Sequence, residues 1–312
     1  MIHIRAVSPA DVTPRLVESL GANGGVVNLV VLAGVARNPA GDSVQFDVIN
    51  AEANGVLDEL HDLEIARRGS IVIENVDASI SALAARAEKH EPRKASFSPI
   101  WEEAEARIRA RGVYPVSWFV LMIIAGLIGA VGILTNSQIL IVGAMVVGPE
   151  YGAMINAAFG IDTGDAPTVR SGLRALVFGF LFAIVATLLF GLVIHAFDLQ
   201  PSAFALGIRP VSDLINSPNA FSVIVAVLAG IVGVVSLTEA RANALIGVFI
   251  SVTTIPAAAD VGLSISFGEW SEAGGALLQL LLNVVILIVV GAIGLRVQRR
   301  IWGRARWGTE AR

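Results

Sequence analysis

Two polar interruptions lie inside long apolar runs, and they hold the residues with chemistry to offer. The first is "AMVVGPEYGAMINAAFG" at 144–160, where Pro149 and Glu150 stand side by side between Gly148 and Gly152. The second is "ISVTTIPAAAD" at 250–260, with Thr253, Thr254, Pro256 and Asp260. A proline removes a backbone donor and interrupts a helix. Non-helical backbone at membrane depth persists only where it is buried in protein or lines a wet cavity. The freed amides and carbonyls, together with a carboxylate, can then serve ions or polar solutes. An ionisable residue at that depth is costly to keep and points to function. Glu150 is the candidate proton or cation carrier, Tyr151 and Asn156 are its candidate polar partners, and Gly148 and Gly152 permit close approach. In the second stretch Thr253, Thr254, Pro256 and Asp260 are the counterparts, and Asn283 in the last apolar run faces a bundle interior or a partner. A structural reading competes with this one. "GPEYG" also fits a small-residue packing site between membrane helices, and each carboxylate taken singly fits headgroup depth. The two breaks taken together favour a solute pathway.

Composition sets the class. The 312 residues are 55% hydrophobic and 15% charged, with no cysteine and a net charge of −4. Soluble domains carry about 25% charged residues, so this is a membrane protein with a soluble part. Without cysteine there is no disulfide and no thiolate metal or redox site. The charge gives no support to nucleic-acid binding. His3, His61, His90 and His195 are scattered, and no nucleophile–base pair or metal-ligand cluster is visible, so no catalytic or metal site is assigned and an enzyme is not expected. The sequence names no cofactor.

Elements must position these residues. Residues 1–77 read as β-α-β-β-α-β, the ferredoxin-like arrangement. The strands are "IHIRAV", "GGVVNLVVLAGV", "SVQFDVI" and "GSIVIENV"; the helices are 11–23, with Asp11 as cap, and 52–63. The acidic surface of this domain, including Asp42 and Asp47, reads as solvated. Residues 78–114 form a charged connector, in which "PIWEEAEARIRARG" is an amphipathic helix for the membrane surface, with Ile100, Trp101, Ala104 and Ile108 towards one face. "MIHIRAVSPADVTPRL" lacks the pattern of a signal peptide, so the soluble part is expected to stay on the side where it is made.

Residues 115–297 form the membrane domain, followed by a basic cytosolic tail at 298–312. Six apolar segments occupy 116–134, 138–161, 173–197, 220–237, 242–267 and 276–295, each near the length of about 20 residues that spanning needs. The second and fifth are the interrupted ones, and both begin with Leu-Thr directly after a spanning run. The set thus divides into two triplets of span, broken segment and span. If all six cross, the second triplet is inverted, an arrangement that in transporters places the site at the paired breaks. Lys89, Arg93, Lys94, Arg107, Arg109 and Arg111 precede the first span, and Arg296, Arg299, Arg300, Arg304 and Arg306 follow the last. The positive-inside rule makes both ends cytoplasmic, with Arg170, Arg174 and Arg241 on the same side. The outer loops 198–219 and 268–275 hold Asp198, Asp213, Glu269 and Glu272, with one Arg209. Trp118, Trp270 and Trp302 fall near interfaces. Ferredoxin-like sheets and glycine-lined helices both pair readily, so a homo-oligomer is expected.

The stretches "ILIVGAMVVGPEYGAM" (139–154) and "ALIGVFISVTTIPAAA" (244–259) resemble the bacterial hydrophobic membrane proteins grouped as domain of unknown function number 389. "NLVVLAGVARNPAGDSVQFDVINAEANGVLDEL" (28–60) is similar to the cytosolic portion of actinobacterial members. Many members carry serine before the proline, where this chain has Gly148. The resemblance implies a multi-pass protein of the bacterial inner membrane and says nothing about chemistry. Two function classes stand: a transporter or channel for a small polar solute or ion, and a non-transporting scaffold or sensor whose cytosolic domain does the work.

Overall fold

The computed structural model describes residues 1–76, 81, 101–238 and 254–305. Thr253, Arg241 and the first half of the second interrupted segment lie outside the described residues, as do Lys89, Arg93, Lys94, Ile100 and Arg306. The chain forms two compact units that divide after Glu105.

In the N-terminal unit β1 (Ile2–Ser8), α1 (Thr13–Ala22), β2 (Val26–Arg37), β3 (Ala40–Val48), α2 (Asn50–Asp62), the short α3 (Ile65–Arg68) and β4 (Ser70–Asn75) follow one another. The strands build one antiparallel sheet in the order β2-β3-β1-β4. Period-2 alternation buries Ile2, Ile4 and Ala6 of β1 with Val44, Phe46 and Val48 of β3. Leu16 and Leu20 of α1 and Val56, Leu57 and Leu60 of α2 complete this core, as helical spacing of apolar residues requires.

Asp11 does not cap α1. The N-cap is Val12 without a side-chain bond, and Asp11 instead accepts Arg68 at 2.7 and 2.9 Å. The Pro9 carbonyl receives the N–H groups of Val12 and Thr13, and Pro14 in the first turn has no N–H to satisfy. Two acidic residues read as solvated are tied to the sheet. Asp47 meets His3 at 2.7 Å and Asn28 at 2.6 Å. Asp42 accepts the Gly34 N–H at 2.7 Å, at a glycine with φ of +65° beside a register shift in β2. That backbone donor, with the Thr13 hydroxyl, holds the Asp42 carboxyl below its ordinary range.

The second unit is helical. It starts within α4 (Trp101–Arg111), at Ala106, and continues through α5 (Val116–Leu134), α6 (Gln138–Val147), α7 (Glu150–Thr163) and α8 (Ala166–Ala196). Two short helices, α9 (Ser202–Ala205) and α10 (Pro210–Ile215), lead to α11 (Ala220–Thr238); α12 (Ile255–Ser266) and α13 (Trp270–Ala305) close the unit. Among the described residues α5, α8 and α13 are long and apolar enough to cross a membrane. The pair α6–α7, bent by 53° at its break, makes a fourth if taken as one span. The apolar α11 and α12 border the stretch 239–253, which lies outside the described residues. Helix α5 packs on α6, α8 and α12, and α8 packs on α7 and α12. Along α8 the side chains of Val177, Leu181, Val185, Leu189 and Val193 stay exposed. An apolar stripe of that length suits lipid rather than water.

Contacts between helix ends sort into two groups. Arg296 and Arg299 reach Asp162 at 3.2 and 3.1 Å, and Arg109 reaches Asp165 at 4.0 Å. In the other group Arg209 pairs with Glu269 and Glu272 at 3.5 and 3.4 Å. There too Asn136 donates to the Ile208 carbonyl at 3.2 Å, and the His195 and Phe267 rings meet edge to face at 5.0 Å. Helix α4 carries Ile108 into the core of this unit.

The N-terminal unit has its own core, so residues 1–76 should fold as a soluble fragment with one cooperative melting transition. Asp42 contributes stability above its unfolded pKa of about 4, lost as pH falls through its lower folded value. Asp42→Asn should lower the melting temperature at pH 7 and flatten the acid limb of the stability profile. Equal melting of both proteins at pH 7 would refute this role.

Candidate functional site

The first break is built by local chain chemistry. Ser137 caps α6 by accepting the Leu140 N–H, and the helix ends at Gly148, whose N–H still reaches the Ala144 carbonyl at 3.1 Å. Pro149 cannot donate, so the ladder stops there and α7 starts with Glu150 as its first residue. The Pro149 carbonyl is not left bare: the Trp118 indole N–H donates to it at 3.2 Å. Trp118 is itself 8% exposed and held edge to face by Tyr114 and Phe119. It is therefore a strut for the break, not a headgroup residue.

The second break supplies the partner. Thr254 is the N-cap of α12, and Pro256 lies in the first turn, where a missing N–H costs nothing. The Thr254 hydroxyl donates to Glu150 Oε1 at 2.8 Å, across 104 residues of sequence. Glu150 is 1% exposed and Thr254 fully buried. The carboxylate thus sits at the N-termini of α7 and α12, both of which favour negative charge. Helices can come this close because the residues between them are small. Ala144, Ala153, Ala257 and Ala258 are buried around the pair. A Cβ on Gly148 would stand 2.8 Å from Ile255 and would collide with the Glu150 carboxylate. Tyr151 ties this centre to α11 by donating to the Gly233 carbonyl at 2.7 Å.

The other candidates distribute around this centre. Asn156, two turns into α7, donates to the Tyr114 hydroxyl at 3.1 Å. Asp260 does not meet Glu150. It lies six residues beyond Thr254 on α12, about 9 Å along the axis, and accepts Ser212 at 2.8 and 3.0 Å and Ser264 at 3.4 Å. Asn216 extends this nest by donating to Ser212 at 3.4 Å. Asn283 is fully buried and accepts Gln279 at 3.0 Å, one turn away on α13. Gly152 falls in the first turn of α7. The structure therefore brings together Gly148, Pro149, Glu150, Tyr151, Thr254 and Pro256, and makes Asp260 the centre of a separate polar nest. Ser212, Ser264 and Gly233 belong to these sites without having been singled out in the sequence, and Trp118 belongs to them although its position reads as interfacial. Ser212 sits in what reads as an outer loop, and a backbone carbonyl such as that of Gly233 leaves no sequence signal.

This geometry falls within a matched region. Residues 145–289 match the family described as Domain of unknown function (DUF389). Residues 145–289 are a DUF389 domain. The chain is also similar to an uncharacterized protein of Methanocaldococcus jannaschii, 20% identical over 260 residues, which covers 83% of this chain and 77% of the relative. That organism is an archaeon, so the bacterial origin implied by the resemblance is not established. No solved structure matches the chain.

Gly148→Ala tests the closeness of the two breaks. The added methyl must displace Ile255 or the Glu150 side chain, and overpacking of this kind costs about 1–3 kcal/mol. The full chain in detergent should melt several degrees lower, while Gly143→Ala, with nothing within 4 Å of its Cβ position, should leave melting unchanged. Equal melting of the two variants would show that the breaks have room between them.

Proposed function

We propose that the DUF389 domain is a transporter or channel for a small polar solute or ion, with its site at the paired breaks. The observation that carries this reading is the buried hydrogen bond from Thr254 to Glu150. It joins the starts of two short helices, each opened by a proline, from two separate parts of the chain. Half-helix ends converging inside an apolar bundle are the recurrent way that membrane transporters hold ions and polar groups. In this reading α5, α6–α7 and α8 form one triplet, and α11, the second broken segment and α13 form its inverted copy. Both termini are cytoplasmic and the membrane is the cell's inner membrane. The helix-end contacts agree with this reading, because Asp162 and Asp165 precede α8 and pair with Arg296 and Arg109, while Arg209 follows α8 and pairs with Glu269 and Glu272.

The N-terminal unit is, in this proposal, ferredoxin-like, which its element order and strand order support. Its edge strand β2 exposes Val30, Val31, Leu32 and Val35, a surface suited to pairing with a second copy. A dimeric mass for residues 1–76 would support self-association by this route; a strictly monomeric mass would remove it.

One observation favours the scaffold or sensor reading. The side chains around Glu150 are closely packed, and Ile255 fills the space beside Gly148. A conducting protein must open this region; a scaffold need not.

Reconstituted vesicles decide between them. With a panel of ions and a pH-sensitive dye, the wild type should show a cation- or proton-dependent flux, and Glu150→Gln should abolish it by fixing the neutral state while keeping the shape. Thr254→Val should reduce it at least tenfold. Flux that persists unchanged in Glu150→Gln would end the carrier role, and a wild type with no flux under any ion would favour the scaffold. The orientation is checked separately. Because the chain lacks cysteine, Ser202→Cys should react with an impermeant thiol reagent only from outside, and labelling solely from the cytoplasm would sink the six-crossing arrangement.

A further inference from the structure

We infer that the N-terminal end of α8 is a binding site for one anionic phospholipid, with Arg170 and Arg174 as its phosphate-binding pair. The inference starts from a contrast in how the arginines of this unit are used. Arg109, Arg209, Arg296 and Arg299 all reach carboxylates. Arg170 and Arg174 are exposed, and among the described residues neither has an ion-pair or hydrogen-bond partner. Asp162 and Asp165, the nearby acids, are taken by other arginines. At i and i+4 the two guanidiniums rise from one face of the helix, with Cβ atoms about 6 Å apart, close enough to share a phosphate.

Depth is set by the helix itself. The 31 residues of α8 extend about 46 Å, longer than a hydrocarbon core of about 30 Å. Its uncharged part runs from Ala175 to Ile194, about 30 Å at the same rise. Arg174 then lies at the edge of the hydrocarbon and Arg170 one turn outside it, which is headgroup depth. Tyr114 stands just before the start of α5, where an aromatic belt is expected.

Two adjoining clefts share these arginines and differ in character. One, about 430 Å³, is lined by Tyr114, Phe119, Ser171 and Phe178 with Arg170 and Arg174. The other, about 480 Å³, is walled by Val169, Leu173, Val177 and Phe178 beside the same two arginines. The Tyr114 hydroxyl accepts Asn156, which leaves its own proton to donate, and Ser171 offers a second neutral donor. A phosphate in the first cleft would meet two cations and two hydroxyls; an acyl chain would follow the second cleft onto the exposed stripe of Val177, Leu181 and Val185. A soluble phosphate would use the first cleft and leave the second empty, so the pairing of the two selects a lipid.

The test uses the full chain in detergent micelles, titrated with phosphatidylglycerol and with phosphatidylcholine of the same acyl chains, and bound lipid is read by native mass spectrometry. Two surface arginines contribute about a 30-fold preference for the anionic lipid. That preference should vanish in Arg170→Gln/Arg174→Gln and collapse in the wild type at high salt. Excess inorganic phosphate should not displace the lipid. Retained preference in the double variant would overturn the site, as would equal binding of the two lipids by the wild type. Inorganic phosphate that binds as tightly as phosphatidylglycerol would reassign it to a soluble anion. Should the double variant fail to fold, the wild-type comparison decides alone: a preference that survives high salt would count against the arginine pair.

Discussion

A polypeptide that stops being helical inside an apolar bundle must find partners for every backbone and side-chain polar group it frees, because neither lipid nor alanine can supply them. Much of the described helical unit follows from meeting that demand at Pro149. Trp118 turns its indole N–H inward to the Pro149 carbonyl. Thr254 places its hydroxyl on the Glu150 carboxylate. Tyr151 reaches across to a carbonyl of α11. Each of these bonds fixes a distance between helices, so the break acts as a fastening point as much as a gap. Buried hydrogen bonds are worth about 1 kcal/mol net, but leaving one partner unmet costs about 1–3 kcal/mol. The penalty for the wrong arrangement is what makes the arrangement specific.

Small residues make the fastening reachable. At Gly262 a Cβ would press on the Ile184 carbonyl and the Thr187 hydroxyl, so α12 lies directly against α8. Ala257, Ala258 and Ala259 are fully buried on the same short helix. Close backbone approach is the usual basis of helix association in lipid, where the hydrophobic effect no longer drives it. The alanine run after Pro256 allows the same closeness on another side of α12, where Ala259 lies against the Gly129 position of α5.

Periodicity and punctuation made the elements legible. The strands of the first unit, the 116–134 helix and the break after Gly148 all follow from local signals: alternation, an unbroken apolar run, and a proline flanked by glycine. The start of α8 was less visible, because Arg170 and Ser171 precede the apolar run that begins at 173, while the helix continues back past them to Ala166. The partners of the site were the hardest part. Matching the two breaks by position brought Thr254 and Asp260 forward together, but only one faces Glu150. The choice depends on the rotation of α12 against α8, which is set by packing at Gly262 and not by spacing along the chain. Trp118 shows the same limit. A tryptophan three residues into a span has the address of a belt residue, and its inward turn is decided by a carbonyl 31 residues away.

Among the described residues of the helical unit the two buried carboxylates, Glu150 and Asp260, share a further trait that bears on function. Glu150 takes the hydroxyl of Thr254, and Asp260 those of Ser212 and Ser264, while the ion pairs gather at the helix ends. A guanidinium would fix a carboxylate as an anion, since it can only donate and does not lose its proton. A hydroxyl both donates and accepts, so it can serve the ionised acid as donor and the protonated acid as acceptor with a rotation of one bond. Such a partner can follow a change of protonation state at the oxygen it meets, which for Glu150 is Oε1. In the transporter reading proposed above, that freedom is what a group taking up and releasing a proton or cation inside an apolar bundle would use.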